Sequence, residues 1–260
     1  IIVDGVLKFN ADNPRRNVIR ISEVTSFFED NIPATLDRVQ LLNETQGGVG
    51  FYIPNPEDPS EFIPGAEGVP SNQQLLLPLP DDFSDRVILT FEINQELFLA
   101  EYRYSRAPEI TSVSQEMDTS LDDDEFKVTI SFNDIPEEEN FYIFDFGEGE
   151  LFTLEDRFFK DQEYTFSYVF KRNIQSGETI EMNVRGADRQ LFNFTNLLIE
   201  QSELGTFGLF QTPVATARGN ILKVEGINNI DLFDNVGRPQ DFVLGYFALV
   251  QENTFYLTKQ

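Results

Sequence analysis

Hydrophobic and polar residues alternate most cleanly around residue 130. Phe126, Val128, Ile130 and Phe132 fall on one side, and Lys127, Thr129 and Ser131 on the other. A period of two is the mark of a half-buried strand. The same period recurs at Tyr142, Phe144 and Phe146, at Tyr164, Phe166, Tyr168 and Phe170, and at Ile180, Met182 and Val184. These four strands predict one antiparallel sheet with a packed face. Two of them lie in the aromatic-dense stretch Asn140–Phe170, joined by a Gly- and acid-rich connection too long for a tight hairpin.

Earlier in the chain, Ile1–Phe9 reads as a strand in which Asp4-Gly5 can bulge or turn. Asn10–Arg16 is a turn cluster, and strands follow at Asn17–Ser22 and Arg38–Leu42, with a loop at Ser26–Pro33 between them. Gly47-Gly48 opens a region expected to be irregular as far as Ser71, because Pro54, Pro56, Pro59, Pro64 and Pro70 fall within it. Val87, Leu89, Phe91 and Ile93, then a turn at Asn94–Glu96, then Phe98, Ala100, Tyr102 and Tyr104 make a hairpin signature. A polar passage runs from Ala107-Pro108 to Glu125, with the acidic run Asp118–Asp124 as a candidate linker.

The period changes once. Leu191, Phe194, Leu198 and Gln201 recur at helical spacing, with Asp188 placed to cap the N-terminus and Gly205 to stop the helix. One amphipathic helix is expected near 188–204, packed across the sheet. Gly205–Asp241 reads as loop-rich, and Asp241–Phe247 and Thr254–Leu257 as final strands. The fold class that follows is mainly β. An N-terminal Ig-like β-sandwich is expected over 1–109, and a larger antiparallel β domain carrying the helix over 110–260.

Composition narrows the chemistry. The 260 residues include 26 Phe, enough for a sizeable core, and 45 Asp and Glu against 19 Lys and Arg, a net charge of −26. Such a surface repels phosphate backbones and anionic headgroups, so nucleic acid is not an expected partner. Cys and His are absent, which removes disulfides, thiolate nucleophiles, the usual zinc ligands and the Ser-His-Asp triad. Trp is absent too, against a stacking platform for sugars. No apolar run approaches the ~20 residues a spanning helix needs. The chain opens inside a strand-like run, Ile1-Ile2-Val3, so a trimmed start is expected, with any export signal upstream.

Candidate chemistry is sparse. Asp122 to Asp124, Glu137 to Glu139, and Glu148 with Glu150 offer oxygen ligands for Ca²⁺, but none follows the Asp-x-Asp-x-Asp-Gly loop, and solvated charge is the simpler reading. Paired carboxylates can run a glycosidase, yet with 45 acidic residues any pair can be nominated. The sequons at Asn43 and Asn193 are read as chance. No catalytic residue, cofactor or metal ligand is therefore assigned. Asp156-Arg157-Phe158-Phe159 stands out. Its Asp-Arg pair reads first as an ion-paired lock on the loop, with Glu155 and Asp161 as further partners for Arg157. The alternative reading is an interface anchor, since Arg and aromatics dominate hot spots. Outward members of Tyr142–Phe146 are the candidates for an exposed apolar patch. Two ligand or interface loops are expected, Asn55–Pro70, which holds Phe62, and Gly147–Asp161, which holds Asp156, Arg157, Phe158 and Phe159.

Several separated motifs occur together: Ile2-Val3-Asp4-Gly5, Ser26-Phe27-Phe28, Val39–Leu42, Asp156-Arg157-Phe158-Phe159, Leu198-Ile199-Glu200-Gln201, Gly219-Asn220-Ile221 and Leu244-Gly245-Tyr246-Phe247. In this the chain resembles, over nearly its whole length, the Bacteroidota outer-membrane lipoproteins that carry the label domain of unknown function 4249. The resemblance implies a lipid anchor on a Cys upstream of Ile1, attachment to the outer membrane with exposure at the cell surface, and a TonB-dependent β-barrel receptor as partner. The role it implies is that of a non-catalytic accessory, either a lid or a substrate-capture subunit. Two other roles stay open: a structural subunit of a larger outer-membrane assembly, and a calcium-assisted glycan-binding protein. The anchor Cys is missing here, as a trimmed start would explain, and the Pro-rich stretch after Gly50 departs from the family pattern.

Overall fold

The structure is a computed structural model that describes residues 1–9, 17–23, 32–36, 38–65, 85–115, 126–204, 217–224 and 243–260. Along the chain the strands are β1 (Ile2–Phe9), β2 (Ile19–Glu23), β3 (Ile32–Pro33), β4 (Arg38–Asn43), β5 (Gly48–Pro54), β6 (Glu61–Pro64), β7 (Arg86–Ile93) and β8 (Glu96–Arg103). They continue as β9 (Glu109–Gln115), β10 (Lys127–Asn133), β11 (Phe141–Asp145), β12 (Leu151–Glu155), β13 (Glu163–Val169) and β14 (Thr179–Ala187). The helix α1 (Arg189–Leu204), β15 (Leu222–Lys223) and β16 (Leu244–Thr258) complete the set. The chain is mainly β and sandwich-like, with large antiparallel sheets and a single α-helix among the described residues.

It divides into two compact units. Of the described residues, the first gathers those within 1–104 and 217–249, and the second those within 105–204 and 250–260. The division therefore falls between Tyr104 and Ser105 and is not sequential, because the described residues from Ala217 to Leu249 rejoin the first unit.

In the first unit the strands follow the path β16-β1-β2-β6-β5-β4-β7-β8-β15. Alternate side chains such as Leu7, Ile19, Leu41 and Leu89 are fully buried, as a period of two requires. The hairpin β7–β8 turns on Asn94 and Gln95, both at positive φ (52° and 67°), the twist that matches two paired strands. The ends of the path meet at Asn220. Its Nδ2 donates to the Phe247 carbonyl of β16 at 2.8 Å and the Glu101 carbonyl of β8 at 3.2 Å, while its Oδ1 accepts the Phe247 N–H at 2.9 Å. Gly219 makes this approach possible, since a Cβ there would sit 1.6 Å from the Gly245 carbonyl oxygen.

The expected irregular region after Gly47 is instead a hairpin as far as it is described. Strands β5 and β6 pair through Tyr52–Pro64, Ile53–Ile63 and Pro54–Phe62. The prolines had argued against strands, but Pro54 and Pro64 each stand at a strand end, where a missing N–H is tolerated. Residues 66–71 of that expectation, like the acidic run Asp118–Asp124, lie outside the described residues.

The second unit is a two-layer sandwich with an extra layer. One sheet has the order β13-β10-β9; the other layer has the order β12-β11-β14-β16. The four alternating strands thus belong to two facing sheets, not to one: β10 pairs with β13, and β11 with β14. Alternation identifies a buried face but not the partner strand, and here β12 takes up the near side of β11 as a tight hairpin. The core between the layers is aromatic. Phe144 meets Phe166 edge-on at 4.9 Å, and Phe146 stacks on Tyr168 at 3.8 Å. The expected exposed patch on β11 is absent, because Phe141 and Ile143 on its other face are buried, Phe141 lying 5.0 Å from Phe192 of the helix.

Helix α1 begins where Asp188 caps it, its Oδ1 accepting the Leu191 N–H at 2.7 Å. It packs on β11, β12 and β14 as expected. The buried stripe is rotated from the expected one: Leu191 and Thr195 face in, while Leu198 is 40% exposed. Strand β9 was not legible because a bulge opposite Ser131/Phe132 sets its two core residues, Ile110 and Val113, three apart. The last strand is continuous across Gln251-Glu252-Asn253, which had read as a break. Glu252 is buried there against Arg185, whose guanidinium holds Glu252 and Asp145 at 2.6 Å each.

Candidate functional site

The stretch singled out in the sequence forms a turn between β12 and β13. Asp156–Phe158 is one turn of 3-10 helix, and its four key side chains go in, out, out and in. Asp156 is buried, with its carboxylate accepting the Asn140 N–H at 3.0 Å and its own N–H donating to the Asn140 carbonyl at 3.0 Å. The expected Asp156–Arg157 lock is therefore not formed; the tie runs to backbone. Phe159 is buried too, stacked on Tyr164 at 4.1 Å and edge-on to Phe132 at 5.6 Å.

The far side of the turn is fastened by Asp134. Its Oδ1 accepts the Tyr142 hydroxyl at 2.5 Å and its Oδ2 the Asp161 N–H at 2.8 Å. Asp161 occupies the left-handed region (φ 60°), and its carboxylate accepts the Glu137 N–H at 2.8 Å. Burial, then the hydrogen bond to Asp134, push the Tyr142 phenol well above its ordinary pKa. Backbone bonds at Asp156, Phe159 and Gln162 complete the frame.

On that frame Arg157, Phe158 and Lys160 face water. Phe158 is 88% exposed, the highest value among the described large hydrophobic residues. The Arg157 guanidinium lies 5.6 Å from its ring centroid. Neither Glu155 nor Asp161 pairs with Arg157: Glu155 lies 3.9 Å from Arg189, and Asp161 serves Glu137. The other expected loop behaves differently. Phe62 is 3% exposed on β6, opposite Ile19 and Pro54, and belongs to the core of the first unit. The sequence did not point to the outward face of β5, where Val49 and Phe51 are each a little under half exposed.

The acidic clusters are used locally where they are described. Glu150 accepts the Tyr168 hydroxyl at 2.8 Å and the Lys171 and Arg172 N–H groups, and Glu139 pairs with Arg189. Among the described residues no group of three or more carboxylates is placed to hold a metal ion. Among them, too, no helix is long and apolar enough to cross a membrane.

Fold and turn together define a mainly antiparallel β-protein of two units whose most exposed aromatic among the described residues is held out by a fastened loop. The chain belongs to the family described as Domain of unknown function (DUF4249), whose model matches residues 1–255. Among curated proteins none matches it.

Proposed function

We propose that this protein is a lipid-anchored, cell-surface protein of the bacterial outer membrane and acts as a non-catalytic accessory, lid or capture subunit, of a TonB-dependent β-barrel transporter. The observation that carries the binding role is Phe158. Leaving a Phe side chain in water forgoes roughly 2–3 kcal/mol of burial. The frame of Asp134, Asp156 and Asp161 keeps the ring from folding inward. An aromatic and an arginine held out this way are the ingredients of an interface hot spot. The motifs shared with the outer-membrane lipoproteins support the compartment and the class of partner.

The test is purification of the native, full-length protein from outer membranes in mild detergent, with identification of what comes with it. A TonB-dependent barrel in near-equal amount is the expected result. An unacylated protein, or one that brings no barrel, would overturn the proposal.

A further inference from the structure

We infer that Arg157, Phe158 and Lys160 form a single plug that seats in an apolar socket rimmed by carboxylates on a partner protein. This rests on reading the chain as a binding protein and adds the chemistry of the surface it meets. The first ground is charge. Acidic residues outnumber basic ones 45 to 19 in this chain, so an arginine readily finds a carboxylate. Arg20, Arg38, Arg86, Arg172, Arg185 and Arg189 each do. Among the described residues neither Arg157 nor Lys160 meets a carboxylate. Two cations left over three positions apart, on either side of an exposed ring, call for negative charge from outside.

The second ground is shape. One ring stands out from the turn, and the Arg157 guanidinium lies 5.6 Å from its centroid, so ring and positive charge arrive together. That fits a socket of one side chain's size better than a flat patch. A lipid surface is the poorer match. The next loop presents Glu137, Glu138 and Glu139 to solvent, and the Glu137 N–H bond to Asp161 keeps that loop beside the turn. Anionic headgroups that attracted Arg157 would repel these three.

The experiment places p-benzoylphenylalanine at position 158 of the full-length protein in its native envelope and sequences the peptide joined to it on irradiation. The expected adduct maps to one peptide of another protein, apolar where it is joined and flanked by Asp or Glu. Arg157→Glu with Lys160→Glu is expected to cut its yield about tenfold, and Arg157→Lys far less. The same probe at position 198, exposed on α1, controls for chance proximity. An adduct to lipid, to a second copy of this chain or to many proteins at similar yield, or no adduct at all, overturns the inference. A discrete acidic-rimmed adduct on a protein other than a barrel keeps the plug and removes the transporter. A barrel that co-purifies but never joins position 158 does the reverse.

Discussion

Two segments of this chain invite the same interpretation and turn out opposite. Residues 48–64 and 147–162 are both rich in turn formers and acids, and both carry aromatics between strands. In the first, period-two pairing continues to the end: Tyr52 and Phe62 point into the core, and the turn is closed by Asn55 donating to Glu61 and Ser60 donating to Asp58. In the second, one turn of 3-10 helix interrupts the strand period between Glu155 and Phe159, so two adjacent phenylalanines take opposite environments. An aromatic loop becomes a presenting loop when its backbone is satisfied by buried carboxylates, leaving the side chains between them nowhere to fold. Asp134 does this at the Asp161 N–H, and Asp156 ties the turn to the Asn140 backbone.

Truncating the rings breaks the comparison most strongly. Phe159→Ala and Phe62→Ala should each lose about 3–5 kcal/mol in denaturant unfolding, and Phe158→Ala should stay within about 0.5 kcal/mol of wild type. A Phe158→Ala loss as large as that of Phe159→Ala would mean the ring is packed. Next comes the frame. Asp134→Ala strands the Tyr142 hydroxyl and the Asp161 N–H, and should lose about 2–3 kcal/mol while raising amide exchange at Asp161. Unchanged exchange there would remove Asp134 from the account.

The two buried tyrosines sharpen the contrast at a smaller scale. The Tyr52 hydroxyl is buried without a hydrogen-bond partner among the described residues, whereas that of Tyr142 is bonded to Asp134 and accepts from the Ile135 N–H. Tyr142→Phe should therefore lose about 1–2 kcal/mol and Tyr52→Phe close to nothing. The smallest effect is one of pH. Burial raises the phenol pKa of Tyr52, Tyr142 and Tyr168, and raises that of Tyr104 to about 12. The folded state holds these protons more tightly than the unfolded one, so their contribution is intact below pH 10, the ordinary phenol value, and is lost as pH rises above it. Unfolding midpoints should fall steadily above pH 10, and less steeply in Tyr52→Phe. Flat midpoints across that range would contradict the burial.

Much of this was legible from local rules. The Asn94 turn, the alternation from Phe126 to Phe132 and the Asp188 cap each depend on a few neighbouring residues. The rest depended on partners remote in sequence. The bulge in β9 hid its period, and Glu252 looked like a loop residue because its partner Arg185 lies 67 positions earlier. Family membership was readable from motifs scattered over the chain. At the site, nothing in Asp156-Arg157-Phe158-Phe159 says which phenylalanine is out. That is set by Asn140, whose backbone takes the Asp156 carboxylate away from Arg157, and a backbone N–H leaves no trace in a side-chain pattern.

The most direct trial of the account compares wild type with Phe158→Asp as full-length, lipid-anchored proteins, measuring the TonB-dependent barrel each retains from solubilised outer membranes alongside its thermal midpoint. The account predicts about a tenfold or greater loss of retained barrel with an unchanged midpoint. Equal retention by the two proteins would contradict it.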